Sequence, residues 1–123
     1  RVKRKREVYY TYKKAFSNYS QIQMIPVAPF GEPNYWLTVI TIDKSSGVKP
    51  EDIIVKLEEN NIESRPVWKP MHLQPVFRDC EYFEHKEDVS KDLFERGVCL
   101  PSGTAMTDEE QQIVIEIIMH CFK

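Results

Sequence analysis

The sequence is poor in glycine and cysteine, and this scarcity argues against several kinds of site. Four of the 123 residues are glycine and they are scattered, which disfavours a glycine-rich loop that cradles nucleotide phosphates. The three cysteines, Cys80, Cys99 and Cys121, are odd in number and lack C-x-x-C spacing, so we expect neither a disulfide framework nor a zinc site. We expect reduced, buried thiols and no bound metal.

The chain also lacks a large charge imbalance and any long apolar run. Its formal net charge is −2 at pH 7, so bulk electrostatics gives no reason to expect nucleic acid or a membrane as partner. No apolar stretch approaches the ~20 residues of a membrane span, and no apolar segment of a secretion signal follows the basic start. We therefore expect a cytoplasmic protein with a single domain over residues 1–123.

The basic run at the start, RVKRKR, is the main local departure from this balance. Runs of this type occur in nucleic-acid-binding patches, but six residues of a slightly acidic chain make a solvated helix face the better interpretation. The first residue is Arg1 and the pattern is helical from there, so we expect a piece of a longer polypeptide.

Periodicity and turn chemistry predict the order helix, loop, strand, helix, strand, loop, helix, loop, helix. Residues 1–17 carry apolar positions at helical spacing (Val2, Tyr9, Tyr12 and Phe16), and residues 18–34 should form short extended pieces and turns. The β-branched and aromatic run 35–43 predicts a central strand, and Pro50 opens a helix that ends near Asn60 and Asn61.

The second half of the chain is more irregular. A second strand is expected within 62–67, short or at a sheet edge because Pro66 cannot donate to a ladder. A short helix should cover 88–96 and end at Gly97, with a brief strand after it. Thr107 and Glu110 have the spacing of a capping box at the start of a terminal helix. The expected fold class is α+β, with a small antiparallel or mixed sheet flanked by helices.

The densest group of polar and aromatic side chains lies in the proline-stiffened loop that follows the second predicted strand. Such loops present binding groups at low entropic cost. Arg65 can pair with a carboxylate or phosphate, Trp68 can stack on a ring, His72 can donate or accept near neutral pH, and Gln74 suits sugar hydroxyls. Prolines and aromatics can equally pack a loop onto a core, and the chain shows no nucleophile–base pair.

The same loop, IESRPVWKPMHLQPVF (62–77), closely resembles a signature of the DegT/DnrJ/EryC1/StrS aminotransferases. The segment 93–118, LFERGVCLPSGTAMTDEEQQIVIEII, resembles the C-terminal part of that family. The resemblance extends over essentially the whole chain.

The resemblance implies the small C-terminal domain of the aspartate-aminotransferase fold type. It also implies an enzyme that uses pyridoxal phosphate to move an amino group, usually from glutamate, to a nucleotide-linked keto-sugar in amino-sugar and cell-surface glycan biosynthesis. The full-length enzyme is expected to be a homodimer. By position, the resemblance places the following residues near the substrate: Arg65, Trp68, Lys69, Met71, His72 and Gln74.

The resemblance also marks what this sequence does not contain. In the family the lysine that binds the cofactor lies in a large domain upstream, so no catalytic residue is expected among residues 1–123, and Lys69 does not take that role. The chain alone is expected to be inactive and to bind no pyridoxal phosphate. Two alternatives remain at this stage: a stand-alone, non-enzymatic α+β module that binds a ligand or protein through its loop, and a nucleic-acid module led by RVKRKR.

Overall fold

The computed structural model describes residues 1–123 and contains four α-helices and four β-strands. They run in the order α1 (Val2–Ala15), β1 (Ile22–Met24), β2 (Thr38–Ile42), α2 (Pro50–Glu58), β3 (Arg65–Pro66), α3 (Val89–Arg96), β4 (Gly97–Leu100) and α4 (Asp108–His120). Short 3-10 turns lie at Lys44–Ser46, Met71–Leu73 and Pro75–Phe77. This is the α+β class that the sequence predicted.

The four strands form one antiparallel sheet in the order β1-β2-β4-β3. At its centre β2 pairs with β4, with Ile40 opposite Val98 and Val39 opposite Cys99. Because neighbouring residues of a strand point to opposite faces, these two pairs lie on different sides of the sheet. Ile40 and Val98 belong to the buried core, which they share with α1, α2 and α4. Val39 and Cys99 therefore lie on the opposite face.

Helix α1 packs through Val8, Tyr9, Tyr12 and Phe16, all of which are buried. The prediction for Tyr9, Tyr12 and Phe16 is confirmed, but Val2 is exposed and Val8 takes its place in the core. Val8 lies four residues before Tyr12, so the helical spacing itself allows it on that face.

The expectation of a solvated face is confirmed for Arg1, Lys3 and Arg6, which are exposed, but Arg4 and Lys5 make contacts within the chain. Arg4 donates to the backbone carbonyl of Met106 at 2.7 Å. Lys5 Nζ donates to the carbonyls of Trp36 at 2.9 Å and Ser102 at 2.6 Å. Both basic side chains are half-buried, because the loops at the end of the sheet leave carbonyls that need donors.

The central strand is shorter than the run 35–43 suggested, since it begins at Thr38. Tyr35 has a left-handed backbone with φ 53°, and the amide of Trp36 donates to the side chain of Asn34 at 2.9 Å. A left-handed residue cannot continue an extended strand. The first part of the run, residues 35–37, is thus irregular and leaves Trp36 exposed.

The remaining elements follow the sequence closely. Helix α2 ends before Asn61, which has a left-handed φ of 58°. The second predicted strand is reduced to Arg65–Pro66 and lies at the sheet edge. In α4 the capping box is complete, with Glu110 N–H donating to Thr107 at 3.1 Å. No helix of the structure combines the length and the apolar character that crossing a bilayer requires.

The cysteines are all free, but only in part buried. Cys99 is buried in β4, and desolvation raises the pKa of its thiol. Cys121 is half-buried, and burial likewise raises its pKa. Cys80 is exposed, so the expectation of buried thiols is wrong there, because the loop that carries it contributes no strand or helix to the core.

Gly97 is where α3 passes directly into β4, with an extended φ of −93°. A Cβ atom there would overlap the carbonyl oxygen of Leu93 and a methyl group of Val67. Gly97→Ala should therefore lower the free energy of unfolding by about 1–3 kcal/mol through overpacking. The control is Gly103→Ala, whose added methyl meets no atom within 4 Å. Urea unfolding midpoints measure both, and equal losses would contradict this account of Gly97.

Candidate functional site

Two tryptophans mark a groove beside the edge strand, on the side of the sheet that the core does not use. Trp36 and Trp68 are 64% and 63% exposed, and their ring centroids lie 6.1 Å apart. The groove has a volume of about 650 Å³ and is also lined by Lys5, Arg65 and Lys69. Cys99 forms part of its floor. Flat aromatic rings beside cationic side chains suit a planar or sugar-like ligand that carries negative charge.

A second groove, of about 560 Å³, continues from the first on the other side of the tryptophans. It shares Trp36, Leu37 and Trp68 with the first groove and is closed by residues of the proline-rich loop. Tyr9 and Tyr35 lie at its end, with ring centroids 4.8 Å apart. The two grooves together form one extended depression along the open face of the sheet.

The Arg65 guanidinium forms an ion pair with Glu63. Its Nε donates to Glu63 Oε1 at 2.8 Å, and Nη2 donates to the same oxygen. The two side chains are 76% and 73% exposed, so the pair is screened by solvent and contributes little stability. A ligand phosphate could replace the carboxylate at small cost.

His72 is fixed in place and lines a separate cavity of about 390 Å³. Its Nε2 lies 2.6 Å from Asp88 Oδ2. Its ring stacks on Tyr82 with centroids 3.6 Å apart and planes within 11° of parallel. The His72 side chain is 16% exposed. His72 and Met71 share the wall of this cavity with Cys80 and Tyr82.

The carboxylate of Asp88 accepts hydrogen bonds from several donors. Its Oδ1 accepts hydrogen bonds from Tyr82 hydroxyl at 2.9 Å, Ser90 hydroxyl at 3.1 Å and the Lys91 backbone N–H at 3.0 Å. The last of these makes Asp88 the N-cap of α3. Desolvation raises the pKa of Asp88, but the bonds from Lys91, His72, Tyr82 and Ser90 together outweigh it and hold the pKa well below its usual range.

Gln74 closes the loop on itself. Its Nε2 donates to the Lys69 carbonyl at 3.1 Å, so the amide donor is used within the loop while Oε1 stays available as an acceptor.

Of the six residues predicted from the sequence, Arg65, Trp68 and Lys69 line the first groove, and Met71 and His72 line the third cavity. Gln74 lines neither and braces the turn between them.

Four residues of this region were not predicted from the sequence: Lys5, Trp36, Tyr82 and Asp88. Asp88 could have been found, because an aspartate directly before a helical segment is a common N-cap. Trp36 was assigned to the predicted strand 35–43. Tyr82 and Lys5 give no local signal, since their partners are distant in sequence or depend on the path of a loop.

The residues present do not make a complete site for pyridoxal phosphate. Lys5 is the half-buried lysine of the groove, and its amine is already bonded to two backbone carbonyls. The N-terminus of a helix is a common binding site for a cofactor phosphate. Helices α2 and α4 carry acidic residues in their first turns, and Asp88 caps α3. The first turn of α1 carries no acidic residue, but its residues 1–4 line none of the three cavities.

The low pKa of Asp88 has a consequence for acid stability. A carboxyl whose pKa is depressed on folding stabilises the native state above its unfolded-state pKa of about 3.8, and this contribution is lost as the pH falls towards the lower native pKa. Asp88→Asn should therefore flatten the fall of unfolding free energy below about pH 4. Urea titrations of both proteins at a series of pH values from 5 downwards measure this, and parallel curves would contradict the assignment.

Known proteins of similar sequence and fold identify the family of the chain. The chain is 43% identical to a Bacillus subtilis (strain 168) protein that carries the provisional name pyridoxal phosphate-dependent aminotransferase EpsN, over 99% of this chain and 31% of the relative. It is 29% identical to the GDP-perosamine synthase of Vibrio cholerae over 98% of this chain and 32% of that protein. The chain thus spans about a third of the length of the curated relatives it matches.

Solved structures agree on the fold. The aminotransferase PseC of Helicobacter pylori, which is involved in pseudoaminic acid biosynthesis, superimposes with a TM-score of 0.80 at 16% identity, over 98% of this chain and 32% of PseC. The model of the DegT/DnrJ/EryC1/StrS aminotransferase family matches residues 1–119. The chain belongs to the DegT/DnrJ/EryC1/StrS aminotransferase family.

Proposed function

We propose that this chain is the substrate-side small domain, at the C-terminal end, of a pyridoxal phosphate-dependent aminotransferase. The complete enzyme transfers an amino group from an amino acid, expected to be glutamate, to a nucleotide-linked keto-sugar in the synthesis of amino sugars for cell-surface glycans. It acts in the cytoplasm as a homodimer. The 123-residue chain alone is inactive and binds no cofactor, because the lysine that holds pyridoxal phosphate lies in the rest of the enzyme.

The observation that carries this proposal is the loop 65–77, which joins an aromatic groove to a cavity lined by histidine. The loop has few backbone donors because of its prolines, and it is held at one end by the edge strand and at the other by Asp88. Hydrogen bonds thus hold the His72 and Gln74 side chains in place before any ligand arrives, which lowers the entropic cost of binding. Family membership and the names of the relatives support an amino-sugar substrate.

Within this domain, different side chains contact different parts of the substrate. Trp68 offers a flat face to a ring, while Arg65 and Lys69 supply positive charge for the phosphates of a nucleotide-linked sugar. Met71 and His72 line the cavity beyond them, and Gln74 keeps an oxygen available as an acceptor. These residues bind and orient the sugar, and they do not carry out the amino-transfer step.

The proposal predicts that His72→Ala weakens substrate use without loss of the cofactor. In the longer enzyme, the loss of one hydrogen bond of about 0.5–1.5 kcal/mol should raise KM for the nucleotide-linked keto-sugar by about two- to tenfold. The absorbance of bound pyridoxal phosphate should be unchanged. Steady-state kinetics with GDP-, UDP- and dTDP-linked keto-sugars, with glutamate as donor, measure the effect.

His85→Ala is the matched control, because His85 is exposed and lines none of the three cavities. Loss of the cofactor band in His72→Ala would show that His72 supports the cofactor instead of the substrate. A longer protein that stays colourless when pyridoxal phosphate is added would overturn the aminotransferase assignment. That result would favour the non-enzymatic binding module.

A further inference from the structure

The cluster around Asp88 determines more than the position of His72, because it also constrains where the imidazole proton lies. A neutral histidine carries one N–H, and either ring nitrogen can hold it. His72 Nε2 lies 2.6 Å from Asp88 Oδ2, and an ionised carboxylate can only accept hydrogen bonds. The contact is therefore favourable only when Nε2 carries the proton.

The other ring nitrogen is left unused by the chain. His72 Nδ1 has no hydrogen-bond partner among residues 1–123, and the ring that carries it lines the 390 Å³ cavity. With the proton on Nε2, a neutral ring presents Nδ1 as an acceptor. The cavity then favours a ligand group that donates, such as a sugar hydroxyl or an amine.

Two contacts of Tyr82 favour this arrangement of the ring and the carboxylate. Tyr82 stacks on one face of the His72 ring with centroids 3.6 Å apart, which restricts tilting of the ring. The Tyr82 hydroxyl also donates to Asp88 Oδ1 at 2.9 Å. The tyrosine thus holds both the imidazole and the carboxylate that orients it.

We propose that Asp88 and Tyr82 are positioning residues, which keep the proton of His72 on Nε2 and leave Nδ1 as the hydrogen-bond acceptor for a ligand in the cavity. Asp88 acts through His72, as a carboxylate does when it orients a catalytic or metal-binding histidine. The proton position follows from the geometry alone. The part in which Nδ1 contacts the sugar rests on the proposed function above.

The N-cap role of Asp88 makes a single substitution especially informative. In Asp88→Asn the position of Oδ1 must stay an acceptor, because it meets the hydroxyls of Tyr82 and Ser90 and the N–H of Lys91. The amide NH₂ is then forced into the position of Oδ2, where it donates towards His72 Nε2. The proton of His72 should therefore move to Nδ1. Asparagine caps helices about as well as aspartate, so α3 should remain formed.

The chain allows a direct measurement, since it contains only three histidines. Two-bond ¹H–¹⁵N correlation spectra of the histidine-labelled 123-residue protein report which ring nitrogen is protonated. A pH near 9 keeps an ordinary histidine, with a pKa of about 6.5, neutral. His120 is an internal reference for the Nδ1–H form. Its Nδ1 lies 3.0 Å from the Glu116 carbonyl, which can only accept a hydrogen bond, so Nδ1 carries the proton.

We expect the Nε2–H form at His72 in the unmodified protein and the Nδ1–H form in Asp88→Asn. The signals of His85 and His120 should not change. Asp88→Ser retains an N-cap oxygen but removes the group that faces Nε2, so His72 should show the mixture of both forms typical of a free ring. An unmodified protein with the proton on Nδ1, or a folded Asp88→Asn without any change, would overturn the proposal. Retained dispersion of the backbone amide signals shows that each variant is folded.

Kinetics of the longer enzyme separate this inference from the proposed function. Asp88→Asn should raise KM for the nucleotide-linked keto-sugar by about two- to tenfold with little change in kcat, because the acceptor becomes a donor. In a His72→Ala background the same substitution should have no further effect. An equal effect in both backgrounds would mean that Asp88 acts only on folding. If the proton moves but KM does not, the role of His72 in binding sugar is wrong and the proton assignment stands.

Discussion

The pairing of β2 with β4 at the centre of the sheet is the interaction on which the rest of the structure depends. Antiparallel strands place directly opposed residues side by side, so the pairs Ile40–Val98 and Val39–Cys99 alternate between the two faces. One face receives three helices and becomes the core. The other is covered only in part by α3, and the grooves lie in the part that remains open. A register shift of one residue would exchange the two faces.

The loop between β3 and α3 shows how a long irregular segment can hold side chains in fixed positions. Its prolines restrict the backbone dihedral angles and lack an N–H group. The carbonyls of the loop therefore need other hydrogen-bond donors. The chain supplies these partners locally, with Gln74 bonded to the Lys69 carbonyl and His72 bonded to Asp88. Asp88 caps a helix and anchors the loop at the same time. The N-cap of α3 and the position of His72 therefore depend on the same carboxylate.

Local patterns predicted the elements well where the signal was strong. The helix opened by Pro50, the capping box of Thr107 and the left-handed end at Asn61 were each predicted from short motifs and are present. The limits of the strands were predicted less well. Tyr35 has high strand propensity but a left-handed backbone, because strand formation depends on the partner strand and on burial more than on the residue itself.

The candidate site was predicted in part, for a similar reason. The polar and aromatic composition of 65–77 pointed to a binding loop, and five of its six singled-out residues line one of two concave surfaces. The groove also needs Lys5 and Trp36, which come from α1 and from the turn before β2. These segments are brought together only by the folded sheet. No pattern of spacing along the chain encodes that contact.

The sequence by itself determined the fold class, the helices and the family, because capping, turn chemistry and a sequence signature are local properties. Only the tertiary structure decided which side of the sheet stays open and what each polar group meets. Asp88 has the same chemistry in any loop, but its effect on His72 requires the two to lie 2.6 Å apart across 16 residues of chain. A hydrogen bond tolerates changes of only a few tenths of an ångström in the distance between donor and acceptor, and such distances are set by the fold.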